Sequence, residues 1–272
     1  MYFTLNDGGR IPAIGMGTWP MDDAEAARVI PLGIELGYRL IDTAFAYGNE
    51  VGVGKGIAAS GIAREELFVT TKFNRASHSV EGVAKAWEDA ARKLQLEYID
   101  LMLIHWPNPA HGQYVEAWEG LIKIQAEGKV RHIGVSNFLA EHLAPIIDAT
   151  GVTPVLDQLQ INPRYQQRGA RESNAARGMH TQAWSPLGQG TGLLELPILG
   201  ELAVKYDATP GQIVIAWDIA QGLSTIPKSS DPIRLAQNLA AVEIALSDDD
   251  VAAINAITVP EPDIKHPNEF GH

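Results

Sequence analysis

Three short apolar runs in this chain each end in a polar residue. They are Leu40-Ile41-Asp42-Thr43-Ala44, Leu67-Phe68-Val69-Thr70-Thr71-Lys72, and residues 99–106, which close on His105-Trp106. Each run is brief, rich in β-branched or aromatic side chains, and flanked by helical patterns. A parallel strand buried on both faces reads this way. A charge or imidazole at the carboxyl end of such a strand is costly unless it is paired or used. Three in succession, with Tyr47 just beyond the first, point to a barrel whose strand ends converge on one site.

The rest of the chain supports that reading. Residues 2–5 and 11–14, joined by Asn6-Asp7-Gly8-Gly9-Arg10, predict a hairpin that closes the bottom of the barrel. Strand-like runs follow near 15–18, 39–44, 67–73, 99–106, 130–136, 154–161, 179–185 and 224–228. Helical patterns lie near 22–36, 49–60, 79–95, 114–127, 139–149, 168–177, 196–220 (broken at Pro210) and 231–242. Eight such units predict a single α/β domain over 1–272, a (β/α)8 TIM barrel. Pro31 predicts a kink in the first helix. Asp248-Asp249-Asp250 reads as the cap of an extra C-terminal helix running to about 257, and 259–272 as a tail looped over the barrel. Gly52-Val53-Gly54-Lys55-Gly56 lacks the spacing of a phosphate loop and reads as close helix packing.

The net charge of −12 argues against nucleic acid and anionic membranes as partners, though not against an anionic small molecule held in a local basic pocket. With no cysteine there is no disulfide framework, thiolate metal site or cysteine nucleophile. No apolar stretch approaches the ~18 residues of a membrane span, and no signal peptide is apparent. The expectation is a cytoplasmic protein. His78, His111, His132 and His180 show no paired ligand spacing, so no metal site is expected.

In a barrel, Asp42, Lys72, His105, Ser136, Asn137, Gln158, Trp184, Ser185, Lys228 and Ser229 ring one opening, with Tyr47 on the first loop. A phenol ionises near pH ~10 and needs help to give up its proton at neutral pH. An ammonium at Lys72 would lower the Tyr47 pKa, a carboxylate at Asp42 would anchor Lys72, and His105 would orient a carbonyl oxygen beside the hydroxyl. Singly, these residues have plainer readings: a structural salt bridge, a core histidine, a loop aromatic. Trp106 and Trp184 alone would be core packing.

The motifs together resemble the aldo-keto reductase family. They are Gly37–Ala44 with Tyr47-Gly48-Asn49-Glu50, Thr71-Lys72, Leu103-Ile104-His105-Trp106-Pro107, Gly134-Val135-Ser136-Asn137-Phe138 and Ile226-Pro227-Lys228-Ser229. Within the family the chain looks nearest the bacterial 2,5-diketo-D-gluconate reductase type, through Tyr165–Arg168, Pro186–Gly190 and His266-Pro267. The resemblance implies an NADPH-dependent reductase of aldehyde or ketone carbonyls, such as keto-sugar acids or α-keto compounds, acting as a monomer. Asp42, Tyr47, Lys72 and His105 match the catalytic tetrad. Ser136, Asn137 and Gln158 match the residues that bind the nicotinamide carboxamide, and Trp184 the one that stacks on its ring. Thr18 and Trp19 also fall in the cofactor set. Ser185, Leu187, Gly188 and Gln189 lie by the pyrophosphate. Lys228, Ser229, Ser230 and Arg234 match the clamp on the adenosine 2′-phosphate, joined by the amides of the helix that follows, with Gln237 and Asn238 near the adenine. Trp19, Phe45, Tyr47, Asn74, His105, Trp106, Asn108 and Phe270 are expected to line the substrate pocket.

Three positions depart from the pattern. Asp157 stands where relatives often have Asn, Asn74 where many have Trp, and Asp231 where near relatives have a basic residue, which weakens the phosphate clamp and leaves room for weaker use of NADH. Two other functions compete: a non-catalytic NADPH-binding regulatory subunit, and a barrel lyase using Lys72 as a Schiff base.

Overall fold

The computed structural model describes residues 1–271, so residue 272 of the expected domain and tail lies outside the described residues. Strands β1 (Tyr2–Thr4) and β2 (Arg10–Pro12) form the hairpin, antiparallel, with Tyr2 opposite Pro12. Gly8 turns it at φ +87°, a conformation open to glycine. Leu5 and Ile11 then pack with Leu40, Phe68, Leu101, Val155 and Ile226 in the barrel interior. Leu40 and Phe68 begin their strands, so the hairpin plugs the amino end.

Eight parallel strands follow in chain order: β3 (Met16–Gly17), β4 (Leu40–Asp42), β5 (Phe68–Phe73), β6 (Ile99–Ile104), β7 (Val130–Ser136), β8 (Leu156–Gln160), β9 (His180–Trp184) and β10 (Ser224–Thr225). The ends of the sheet meet: Ile14 bridges Thr225 in parallel, and Gly15 N–H donates to Thr225 O at 2.8 Å. The connecting helices are α1 (Asp23–Leu36), α2 (Glu50–Ser60), α3 (Val80–Leu94), α4 (Tyr114–Ala126), α5 (Ala140–Thr150), α6 (Arg168–Ala176), α7 (Pro197–Lys205), α8 (Pro210–Ala220) and α9 (Pro232–Ala240), with α10 (Asp248–Asn255) as the extra C-terminal helix.

The helical run expected over 196–220 is two helices. Pro210 takes the first helical position of α8, where its missing N–H leaves no bond unmade, and Thr209 and Gln212 form a capping box. Pro31 lies inside α1, which remains one continuous helix. The cap of α10 is Ser247, which accepts from Asp250 N–H; the three aspartates occupy its first turn instead. The glycines of α2 do serve packing: a Cβ at Gly52 would fall 2.2 Å from Asp23 O, and one at Gly54 would fall 2.5 Å from Leu94 O.

Strand alternation sets which residues reach the interior. Leu40, Phe68, Leu101 and Leu156 point inward, while Ile41, Val69 and Met102 pack against the helices. Counting by two along each strand puts Asp42, Lys72, His105 and Gln158 in the inward phase, at the end opposite the hairpin.

Candidate active site

Asp42 and Lys72 meet at the carboxyl ends of adjacent strands, their side chains almost wholly buried, with Lys72 Nζ 2.6 Å from Asp42 Oδ1. The ammonium also donates to Thr43 O at 2.9 Å and to the Tyr47 hydroxyl at 3.3 Å. Three acceptors therefore satisfy its three protons. The second Asp42 oxygen accepts from Gln158 Nε2 at 2.7 Å, and Gln158 Nε2 also donates to Gln182 Oε1. The His105 ring meets Tyr47 edge-on, centroids 5.8 Å apart. Asn137 Nδ2 donates to His105 O at 3.0 Å and to Ser136 Oγ, while Trp184 Nε1 donates to Asn137 Oδ1 at 2.9 Å. Asn137 adopts φ +62°, and this turn folds its amide back over the strand ends.

Burial pushes the Asp42 carboxyl above its usual range, against the pull of Lys72 and Gln158. For Lys72, burial works against the ammonium, but Asp42 and Tyr47 outweigh it and hold the proton on. Burial also raises the Tyr47 phenol, which Lys72 only partly offsets and Asp42 reinforces. The expected net lowering by Lys72 is thus reversed, because desolvation of the phenolate dominates. Tyr47 rests protonated, with an ammonium beside its oxygen ready to stabilise the phenolate left when the proton goes.

Tyr47 and His105 open into a cavity of about 720 Å³. Thr18, Trp19, Asp42, Trp106, Ser136, Asn137, Gln158, Trp184, Ser185, Leu187, Gln189, Lys228 and Phe270 also line it. Trp106 packs against Phe270 at 4.7 Å, and its buried Nε1–H has no hydrogen-bond partner among the described residues, leaving a donor at the wall. Three expected pocket residues lie outside the cavity. Phe45 and Tyr47 share a short 3-10 turn, where side chains two residues apart point about 120° away from each other, and Lys93 Nζ sits 4.5 Å over the Phe45 ring. Asn108 folds back to donate to Trp106 O at 3.1 Å. Asn74 heads the loop after β5 with its side-chain oxygen buried.

The far end of the groove differs from expectation. Lys228 lines the cavity, but its Nζ lies 3.7 Å from Glu25 Oε1. Asp231 is the N-cap of α9: its Oδ1 accepts from Ile233 N–H at 2.8 Å and Arg234 N–H at 3.1 Å. The helix amides expected for a phosphate are therefore already engaged by a carboxylate. Ser229 Oγ accepts from Asp231 N–H, Ser230 Oγ is buried with no hydrogen-bond partner among the described residues, and the Arg234 side chain is exposed. Gly188, Gln237 and Asn238 are not among the residues that line the cavity.

Sequence reasoning missed Gln182, which strand alternation could have found, and Asn49, whose amide pins the loop after β3 by donating to Thr18 O and Met21 O. It also missed Asp263 and Lys265 of the tail, which line the cavity. Nothing periodic marks them. The tail is held by Gln160, whose amide donates to Asp263 O at 2.7 Å and accepts from Lys265 N–H at 3.2 Å.

Comparison with known proteins agrees with this geometry. Residues 13–259 match the model of the aldo/keto reductase family. The chain is 44% identical to methylglyoxal reductase DkgA of Salmonella typhimurium, covering 98% of this chain and 97% of that protein. The Escherichia coli protein of the same name is equally similar, over the same shares. Among solved structures, a variant of Gox0644 in complex with NADPH superposes with a TM-score of 0.94 at 41% identity, over 99% of this chain and 98% of that one. A Bombyx mori aldo-keto reductase in complex with NADP gives 0.88 at 37%, over 94% and 92%.

Proposed function

Because the chain belongs to the aldo/keto reductase family, we propose that it reduces aldehyde and ketone carbonyls to alcohols with NADPH, with Tyr47 as the proton donor. The observation that carries this is the Lys72 ammonium, saturated by Asp42, Thr43 and the Tyr47 hydroxyl, behind a phenol that opens on a 720 Å³ cavity.

The groove's donor set fits a phosphorylated dinucleotide. Ser136, Asn137 and Gln158 supply hydroxyl and amide groups for a carboxamide, and Trp184 an aromatic face. Ser185 and Gln189 add polar side chains suited to a pyrophosphate, with Leu187 and Gly188 in the chain between them. Lys228, Ser229, Ser230 and Arg234 suit a terminal phosphate, and the orphaned Ser230 hydroxyl supports that use. When bound, NADPH supplies the hydride. Tyr47 gives its proton to the carbonyl oxygen as charge gathers there, and Lys72 stabilises the phenolate that remains. Asp42 holds Lys72 in place. His105, edge-on to Tyr47, orients the oxygen. Trp19, Trp106 and Phe270 form the apolar wall that excludes water.

A Schiff-base lyase is disfavoured, since it needs a neutral amine at Lys72 and Asp42 with Tyr47 keeps that amine protonated. The unit acts as a single-domain monomer in the cytoplasm, and size-exclusion chromatography of the intact chain tests the monomer. The relatives' names make methylglyoxal the first carbonyl to try. NADPH consumption with methylglyoxal and a panel of aldehydes, ketones and keto acids tests the reading. Tyr47→Phe should lower kcat by ~10² or more while leaving the Kd for NADPH nearly unchanged. A folded chain that oxidises no NADPH with any of them would leave only a binding role.

A further inference from the structure

We propose that Lys265 makes this site selective for carbonyl compounds that carry a carboxylate, an assignment that rests on the reductase reading above. Among the described residues lining the cavity, the cationic side chains are Lys228 and Lys265. Lys228 stands at the α9 end, beside Glu25. Lys265 stands at the reaction end. Its Nζ lies 5.6 Å from the Phe270 ring centre, Phe270 packs on Trp106, and Trp106 follows His105 in the chain. Apart from Asp263, which pairs with Lys265, the wall around it is aromatic, so Lys265 is the cation that an anionic substrate group meets at that end, despite the protein's net charge of −12.

The tail carrying Lys265 is fixed. Gln160 at the end of β8 grips it on both sides of Ile264, through Asp263 O and Lys265 N–H. Two residues earlier, the buried Glu261 accepts from Asn162 Nδ2 at 2.9 Å. The backbone of Lys265 is therefore positioned before any substrate arrives. Its present partner is Asp263, with Nζ 2.6 Å from Oδ1, and both side chains are partly exposed, 38% and 50%. A pair this exposed contributes little and gives way easily. A substrate carboxylate entering between Phe270 and Trp106 can share or displace Asp263 while the carbonyl reaches Tyr47. An anionic part of the cofactor could meet the same cation, and the two sources are separable by experiment.

The test compares 4-carboxybenzaldehyde with its neutral methyl ester, using the intact enzyme and NADPH. Wild type should favour the acid in kcat/KM. Lys265→Ala should lower the acid-to-ester selectivity about tenfold, through KM for the acid, and Lys265→Arg should restore it. Asp263→Asn should raise the selectivity several-fold by releasing the ammonium. Tryptophan-fluorescence titration should give Lys265→Ala a wild-type Kd for NADPH. Loss of acid and ester turnover by the same factor, or a weakened Kd for NADPH, would overturn the assignment and leave the reductase reading standing. Failure of wild type to reduce either aldehyde or any other carbonyl would overturn both.

Discussion

Asp218 gives the sharpest test of how this barrel tolerates a buried charge. It lies in α8, fully buried, and the Thr225 hydroxyl is the polar side chain that approaches its carboxyl. Burial pushes its carboxyl up to about 8 from 3.8, with Thr225 and Arg171 pulling only weakly the other way. The folded protein therefore binds a proton that the unfolded chain releases near pH 4. Stability from this group is fully present below that pH, declines as pH rises, and is gone above about 8. A rise of roughly 4 units at about 1.4 kcal/mol each sets a ceiling of ~6 kcal/mol for that decline. Asp218→Asn keeps the shape of the neutral acid and cannot ionise. Urea unfolding from pH 5 to 9 should show the two proteins converging at the acid end and the variant more stable by several kcal/mol at pH 9. Parallel curves across that range would mean that Asp218 is solvated or paired in solution and that the burial argument is wrong.

Other substitutions probe the site and its scaffold. Asp42→Ala should destabilise the fold by about 3–5 kcal/mol, since it strands the Lys72 ammonium, and thermal or urea unfolding should find the double variant with Lys72→Met less damaged than the two single losses combined. Gly54→Ala should destabilise, because its Cβ would strike the Leu94 backbone at 2.5–2.8 Å, whereas Gly200→Ala in α7, with nothing within 4 Å, should stabilise by ~0.5–1 kcal/mol; differential scanning calorimetry distinguishes the signs. Asp231→Ser keeps a cap on α9 while removing its charge, and should tighten NADPH about five-fold over NADH in a fluorescence titration; equal shifts for both cofactors would mean that the carboxylate only shapes the helix.

The barrel was legible because its strands carry two signals at once. Apolar alternation names the inward phase, and a polar residue in that phase at the carboxyl end, as at Asp42 and Lys72, names the site. The break at Pro210 was equally legible, but its consequence was not. A proline ends one helix and can begin another, and only Thr209 and Gln212, read as a capping box, tell which. Side chains on the loops were harder. Phe45 and Tyr47 are two residues apart, and the turn type rather than their chemistry decides that Tyr47 faces the cavity and Phe45 packs under Lys93.

The least legible parts are those where one residue type serves two physical ends. Asp231 reads from sequence as a charge near a phosphate site. In the fold it is first a helix cap, its Oδ1 held by the Ile233 and Arg234 amides at the start of α9. Asp157 is similar. It lies in the outward phase of β8, where burial raises its carboxyl well above the usual range and Phe138 N–H and Asn174 only partly offset that. A neutral Asp157 carboxyl needs an acceptor for its proton: Asn174 Oδ1, buried and unpartnered among the described residues, provides one if the Asn174 amide turns over. Asp157 belongs to the outer layer and not to the chemistry of the site, since it and the adjacent Gln158 face opposite sides of one strand. Phase along the strand, which sequence does give, decides which of two neighbouring polar residues belongs to catalysis.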